Sequence, residues 1–176
     1  MARLKGFEKL TNVDKALSIF LKTLKPKKLG SVSVSIDEAL GRVAAKSITA
    51  LNDLPSFDRS AVDGYAVRAQ DTFEASQFKP RALQLTNTDS VGEDQAKQVW
   101  TGNLLPKGAD AVIMLEHTKA VKDKIEVLTA LTPGENVSKR GEDIRKGEVA
   151  IESGTRLQAH HVSLLAALGI SHVNVV

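Results

Sequence analysis

The chain has 176 residues, of which 42% are hydrophobic and 26% are charged, and its formal net charge at pH 7 is +3. These proportions are typical of a soluble globular protein with one ordinary domain or two small ones. Because the chain contains no cysteine, disulfides and thiolate metal sites are excluded. No apolar run has the length of a membrane span, and residues 1–6 carry no signal-peptide core, so we expect a cytoplasmic protein without a membrane partner.

The small positive charge is concentrated in two clusters, within residues 25–28 and 139–146. The aromatic residues, which are five Phe, Trp100 and Tyr65, are not interleaved with these clusters. A stacking platform for single-stranded nucleic acid is therefore poorly supported, and we expect no nucleic-acid partner. An anionic small ligand and a solvated surface both remain open as explanations of the charge.

The N-terminal part of the chain predicts a helix followed by a strand. Thr11 is the predicted N-cap, and apolar residues at helical spacing continue through Leu24. This apolar stripe must be covered, either by the core of the same chain or by sequence beyond it. Residues 31–36 alternate between polar and apolar types, which predicts a strand with one buried face.

The stretch from Leu54 to Val67 begins as a polar loop and ends as a strand. Asp58, Ser60 and Asp63 have short polar side chains that stabilise turns. We expect Gly64 to follow in a turn at positive φ, before a strand that begins at Tyr65. On residue types alone, the ordinary interpretation is a loop that leads into a strand.

Two further blocks follow. Residues 99–112 predict a strand, a turn, a Pro- and Gly-flanked loop and a second strand, and residues 111–121 and 124–131 predict strands joined by a tight turn. Residues 136–148 are a charged loop, for which a solvated surface is the ordinary interpretation. A helix is predicted over 158–168 and a strand from residue 170 onward.

The residues offer one kind of candidate chemistry. The histidines lack metal-ligand spacing, and no Gly-rich nucleotide loop is present. Hard oxygen ligands remain, which suit Mg²⁺, but their convergence does not follow from the sequence. These loop carboxylates are Asp58, Asp63, Glu116, Glu142 and Asp143.

Three blocks, in this order, resemble the signatures of the MoeA/gephyrin family, the molybdopterin molybdenumtransferases. They are Phe57-Asp58-Arg59-Ser60-Ala61-Val62-Asp63-Gly64-Tyr65-Ala66-Val67, Thr101-Gly102 followed by Pro106-Lys107-Gly108-Ala109-Asp110-Ala111-Val112, and Arg140-Gly141-Glu142-Asp143 followed by Gly147. Val62 stands where the family usually has Met, and Asn103-Leu104 departs from the small or β-branched residues usual there. The resemblance covers nearly the whole chain but less than half of the family's length.

The resemblance implies a mainly β fold with some α structure (α+β), elongated, with irregular bifurcated β-sheets. It also implies a discontinuous domain formed by residues 1–51 and 137–176, into which a small β domain at residues 52–136 is inserted. A homodimer is implied as well, together with a molybdopterin-adenylylating enzyme of the same pathway as partner.

The activity implied by the resemblance is the insertion of molybdate into adenylylated molybdopterin, with Mg²⁺ as the usual divalent cation. The positions that match the family's active-site cleft are Asp63, Thr101 and Asp143. The resemblance implies that Asp63 and Asp143 bind Mg²⁺ or orient water, and that Thr101 forms a hydrogen bond with a ligand oxygen. The implied substrate-binding residues are Ser60, Gly64, Gly102, Glu116 and Arg140. For Glu116 a purely structural role at a strand end remains open.

In this family the active site lies between this region of one subunit and a further domain of the other. The chain would then supply one wall of a composite site and would be inactive alone. Two alternatives belong to other functional classes: a non-catalytic binding or scaffold module of the same pathway, and a basic β-rich nucleic-acid binder.

Overall fold

The computed structural model describes residues 11–24 and 27–176 and confirms the predicted α+β class, with mostly β structure. None of the helices in these two ranges is long and apolar enough to cross a membrane. The helices are α1 (Val13–Leu24) and α2 (Ala159–Ala167), and the strands are β1 (Val32–Ser35), β2 (Ile48–Thr49), β3 (Arg59–Ser60), β4 (Gly64–Val67), β5 (Arg81–Leu85), β6 (Gln95–Val99), β7 (Ala111–Met114), β8 (Thr118–Val121), β9 (Lys124–Val127), β10 (Val137–Ser138), β11 (Val149–Ile151) and β12 (His172–Val175). Short 3₁₀ turns lie at Ile36–Glu38, Ala69–Thr72 and Leu115–His117.

The largest sheet in the described part of the chain has the strand order β7-β4-β6-β5-β9-β8. Its pairs are antiparallel except for the parallel pair β5–β6. The edge strands β7 and β8 are separated in sequence only by the 3₁₀ turn Leu115–His117, so the sheet curls and brings its two edges toward each other. Its concave face encloses a core whose largest fully buried side chains are Val67, Leu83, Ile113, Ile125 and Val127.

A separate core forms from the two ends of the chain. β1 pairs with β12 and β2 pairs with β11, both antiparallel, and α2 packs beside them. Its largest fully buried side chains are Leu157, Leu165, Leu168 and Val175. Strands β3 and β10 form a short antiparallel ribbon. In the sequence, each of these strands lies between a segment that builds one core and a segment that builds the other.

Helix α2 confirms the helix predicted over 158–168. Gln158 is its N-cap, and His161 accepts the Gln158 backbone N–H at Nδ1 over 3.1 Å. Desolvation of the ring, and then the neighbouring His160, lower the pKa of His161, so the ring stays neutral and keeps its acceptor at neutral pH. Gly169 follows at φ 72° and ends the helix.

Helix α1 confirms the predicted N-terminal helix, but the predicted cap was wrong by one residue. Asn12, not Thr11, is the N-cap: its Oδ1 accepts the Asp14 backbone N–H over 2.9 Å, and its carbonyl accepts the Ala16 N–H over 2.9 Å. No residue of α1 is buried in the described chain. Phe20, the largest apolar side chain of the stripe, is 59% exposed, so the core formed by residues 27–176 does not cover the stripe.

Gly64 lies in an extended strand and not at the positive φ that the sequence predicted. Glycine is required here for another reason. A Cβ at this position would lie 1.9 Å from the backbone carbonyl oxygen of Ile113 on the paired strand β7. The strands β4 and β7 therefore approach each other more closely than any side chain at residue 64 permits.

We predict that Gly64→Ala destabilises the chain strongly, because the added methyl must push against backbone. Overpacking of this kind typically costs about 1–3 kcal/mol in the free energy of unfolding, occasionally more. The matched control is Gly30→Ala, because a Cβ at residue 30 has no neighbour within 4 Å. Urea denaturation of both variants measures the difference, and equal free energies of unfolding would contradict the close approach of β4 and β7.

Candidate functional site

Three carboxylates at five-residue intervals, Asp53, Asp58 and Asp63, each accept a backbone N–H from a distant loop. Carboxylates that accept backbone N–H groups form strong, charge-assisted hydrogen bonds. The pairs are Lys146 N to Asp53 Oδ1 at 2.8 Å, Arg140 N to Asp58 Oδ1 at 2.8 Å and Thr101 N to Asp63 Oδ1 at 2.7 Å. The segment from residue 53 to residue 64 therefore holds both of the other two motif loops.

Asp63 and Thr101 form the tightest of these contacts. Both the backbone N–H and the hydroxyl of Thr101 donate to Asp63 Oδ1, each over 2.7 Å. The backbone bond, and then the hydroxyl bond, hold the pKa of Asp63 below its usual range. Asp63 is exposed and ionised, and within the described residues no donor reaches its Oδ2.

Ser60 and Gly102 shape the same loop through their backbones. The Gly102 N–H donates to the Ser60 carbonyl over 2.8 Å, and the Ser60 N–H donates to the Asn103 carbonyl over 2.9 Å. Gly102 has φ 86°, a left-handed conformation that favours glycine. The Ser60 hydroxyl is buried and donates to the Val62 carbonyl over 2.5 Å, so it stabilises the turn.

The register of the large sheet places Glu116 beside this loop. Gly64 is opposite both Val99 and Met114, so Asp63, Thr101 and Glu116 leave the sheet at the same end. The Leu115 backbone N–H also donates to the Asp63 carbonyl over 3.2 Å. Glu116 is exposed on the following 3₁₀ turn.

Arg140 and Asp143 lie in the second loop that the segment holds. The Arg140 Nε donates to Asp53 Oδ2 over 2.5 Å, and the Asp143 backbone N–H donates to the Leu54 carbonyl over 3.0 Å. The Asp143 carboxylate is exposed and accepts no hydrogen bond from the described part of the chain. A cavity of about 310 Å³ lies here, lined by Asn52, Asp53, Ser56, Arg140 and Lys146.

The pKa values of Asp53 and Asp58 are also lowered. For Asp53 the main cause is the Lys146 N–H, followed by the bond from the Arg140 side chain. For Asp58 the main cause is the Arg140 N–H, followed by the bond from the Lys139 ammonium at 2.9 Å. Both groups are therefore ionised acceptors that hold the 139–146 loop at neutral pH.

The predicted site residues thus form two groups. Ser60, Asp63, Gly64, Thr101, Gly102 and Glu116 lie at one end of the large sheet, and Arg140 and Asp143 lie in the 139–146 loop. Sequence reasoning missed Asp53 and Lys146, which complete the contacts of that loop. The signal that would have found Asp53 is its spacing, five residues before Asp58 and ten before Asp63.

The two predicted Mg²⁺ ligands lie in different groups of the site, Asp63 beside Thr101 and Asp143 in the 139–146 loop. In the ranges 11–24 and 27–176 no group of three or more His, Cys, Asp or Glu side chains can hold a metal ion. Asp63 Oδ2 and the Asp143 carboxylate are free hard oxygen donors. Mg²⁺ usually takes one or two protein carboxylates and completes its shell with water and phosphate oxygens.

Comparison with known proteins gives a consistent result. Residues 11–169 match the family model described as the MoeA N-terminal region (domain I and II). A Methanocaldococcus jannaschii protein named for molybdopterin biosynthesis is 43% identical over 172 residues, which are 98% of this chain and 42% of that protein. The molybdopterin molybdenumtransferase of Bacillus subtilis is 39% identical over 155 residues, which are 81% of this chain and 36% of that protein.

The structural comparison agrees. A crystal structure of the molybdopterin biosynthesis MoeA protein from Pyrococcus horikoshii superimposes with a TM-score of 0.87 at 41% identity, and it covers 95% of this chain and 46% of that protein. The chain therefore spans less than half of the length of these relatives.

We predict that the Thr101 loop is released when Asp63 is protonated. The folded-state pKa of Asp63 is lowered from its ordinary value of 3.8. The contribution of this contact is therefore complete above pH 3.8 and is lost as the pH falls through the folded pKa. The Thr101 amide resonance, followed by NMR during an acid titration, should shift with a midpoint below 3.8.

The variants sharpen this test. Asp63→Ala should accelerate hydrogen exchange at the Thr101 amide at pH 7, whereas Asp143→Ala, which removes a carboxylate without hydrogen bonds, should not. A Thr101 amide that exchanges at the wild-type rate in Asp63→Ala would show that the contact does not hold the loop.

Proposed function

The chain belongs to the MoeA N-terminal region family, and on this premise we propose that it supplies one wall of a composite active site that inserts molybdate into adenylylated molybdopterin. The observation that carries the proposal is the Asp63–Thr101 contact, which presents a free carboxylate oxygen at the exposed end of a rigid sheet. Three of the relatives' names refer to molybdopterin biosynthesis or molybdenum transfer. The substrate reaches the site from the molybdopterin-adenylylating enzyme of the same pathway.

Asp63 and Thr101 act as positioning groups in this proposal. Asp63 is ionised and accepts both hydrogen bonds from Thr101 through Oδ1. Its other oxygen, Oδ2, is therefore the atom that would bind the cation. The single hydroxyl hydrogen of Thr101 is already donated to Asp63. Thr101 therefore contacts the substrate by accepting a hydrogen bond, from a water or hydroxyl group, and it does not donate to a ligand oxygen.

The 139–146 loop supplies positive charge, which complements the anionic groups of the proposed substrate. The Arg140 side chain is 66% exposed and is held by Asp53 through its Nε, which leaves its terminal N–H groups for a phosphate or oxyanion. Asp143 faces solvent beside it in the same loop. Asp63 and Asp143 would hold Mg²⁺, which when bound neutralises charge on substrate phosphate oxygens.

We extend the proposal to domain organisation and location. The separate cores, one from residues 39–50 and 151–175 and one from residues 65–131, support a discontinuous domain at 1–51 and 137–176 with an insert at 52–136. The protein acts in the cytoplasm as a homodimer. A non-catalytic binding or scaffold module of the same pathway is the alternative that the activity test addresses.

We predict that Asp63→Asn and Asp143→Asn slow molybdenum insertion. Changes around metal ligands typically cost 10- to 100-fold, so removal of a direct ligand should cost at least about that much. The assay uses a chimera in which this chain replaces the matching segment of the Bacillus subtilis relative. The control is Asp123→Asn, because Asp123 is also a hydrogen-bonded loop carboxylate, 2.8 Å from Gln84 Nε2, but lies at the β8–β9 turn.

Melting temperatures are measured in parallel, so that a folding defect is separated from a catalytic one. Folded Asp63→Asn and Asp143→Asn chimeras with the wild-type insertion rate would remove both residues from the site. A folded wild-type chimera that binds substrate but does not insert molybdenum would favour the scaffold alternative.

We predict a homodimer in which the apolar stripe of α1 is covered by the partner. Leu17 and Phe20 are 55% and 59% exposed in the single chain, and uncovered apolar surface favours association. Light scattering should give about twice the chain mass of 18.9 kDa. Phe20→Glu should give monomers, whereas Ser18→Glu, which adds the same charge to the same helix away from the stripe, should not. A wild-type chain that scatters as a monomer would contradict this prediction.

A further inference from the structure

A second cavity lies on the convex face of the large sheet, apart from the carboxylate site. Its volume is about 500 Å³, in the range of small-molecule sites. β6 forms its floor and the segment from Asn103 to Lys107 forms its wall. None of the candidate catalytic residues lines this cavity.

Lysines give the cavity its charge. Lys97 and Lys107 line it, and Asp89 is the single acidic residue in its lining. The Lys97 side chain is only 25% exposed, because its stem lies on the sheet on the same face as Val99, whereas the Asp89 side chain is fully exposed. The Lys97 ammonium is 2.8 Å from Asp89 Oδ1. Such an exposed partner contributes little stability, so an external anion can replace it.

Apart from the polar residues Gln98 and Asn103, the rest of the lining is apolar. Val99 is buried beneath the cavity, Pro106 is also buried, and Leu104 is 62% exposed at the rim. Ammonium groups bind phosphate as point charges. The apolar part of the lining offers a surface against which the ring of a ligand can pack. We propose that this cavity binds a small organic anion, a phosphate monoester carried on an apolar ring.

A ligand here would also contact the loop that carries Thr101. Asn103 lines the cavity, and its Oδ1 accepts the Trp100 backbone N–H over 3.0 Å. The Gly102 N–H of the same loop donates to the Ser60 carbonyl. An occupied cavity should therefore slow hydrogen exchange at the Trp100 and Gly102 amides.

Phenyl phosphate is the probe, titrated into the 176-residue chain and followed by NMR. We expect saturable shifts at residues 97–107, weaker binding of inorganic phosphate and no saturation with benzyl alcohol. Lys97→Gln and Lys107→Gln should each weaken binding about 1.5- to 5-fold, since exposed charge pairs contribute in this range. Asp89→Asn should tighten binding by a similar factor, because the internal competitor for Lys97 is removed.

The controls separate a local effect from a change in net charge. Lys119→Gln and Glu93→Gln change the same charges on exposed residues outside the cavity and should leave the affinity unchanged. Melting temperatures confirm that each variant is folded. The proposal fails if phenyl phosphate does not saturate at roughly 10 mM, a concentration that would detect millimolar affinity. It also fails if Asp89→Asn and Glu93→Gln tighten binding equally, or if inorganic phosphate binds as tightly as phenyl phosphate.

Discussion

The described structure depends on carboxylates that replace regular secondary structure as hydrogen-bond acceptors. The loops 100–103 and 139–146 have few ladder partners, yet their backbone N–H groups need acceptors. Asp53, Asp58 and Asp63 provide them, each across a large distance in sequence. Because an ionised acceptor forms a stronger bond than a neutral carbonyl, one short segment can hold two irregular loops in fixed positions.

This constraint limits the chemistry of the site. A carboxylate whose pKa is lowered by a backbone N–H stays ionised at neutral pH and is a poor general acid, since an effective proton donor has a pKa near the working pH. Asp63 is such a group. What it offers is a fixed negative oxygen, suited to orienting a cation, a water or a substrate hydroxyl. In the proposed insertion of molybdate, Asp63 would therefore contribute binding and orientation and not proton transfer.

The sequence predicted much of this architecture, and its failures have physical causes. Both helices follow from apolar spacing, and the error at the N-cap of α1 arose because Thr11 and Asn12 are adjacent residues that both cap well. Gly64 was assigned the wrong cause because sequence cannot distinguish a positive φ from a close approach of strands. The strand predicted over 111–121 is interrupted by the 3₁₀ turn Leu115–His117. At the start of this turn the Leu115 backbone N–H donates to the Asp63 carbonyl. The resemblance supplied the candidate residues, but the pairing of Asp63 with Thr101 depends on tertiary contacts between residues 38 positions apart.

The two loops are fixed to the segment 53–64 by different residues, so each loop is held independently of the other. The 100–103 loop is held by Ser60 and Asp63, and the 139–146 loop by Asp53, Leu54 and Asp58. The contacts of each loop are made within the chain and do not involve a ligand, so a ligand that binds there has little backbone left to order. The free groups, Asp63 Oδ2, the Asp143 carboxylate and the terminal N–H groups of Arg140, all face solvent. In the composite site that we propose, a second surface must therefore cover these groups to exclude water. The chain would supply the fixed and ionised wall of that site.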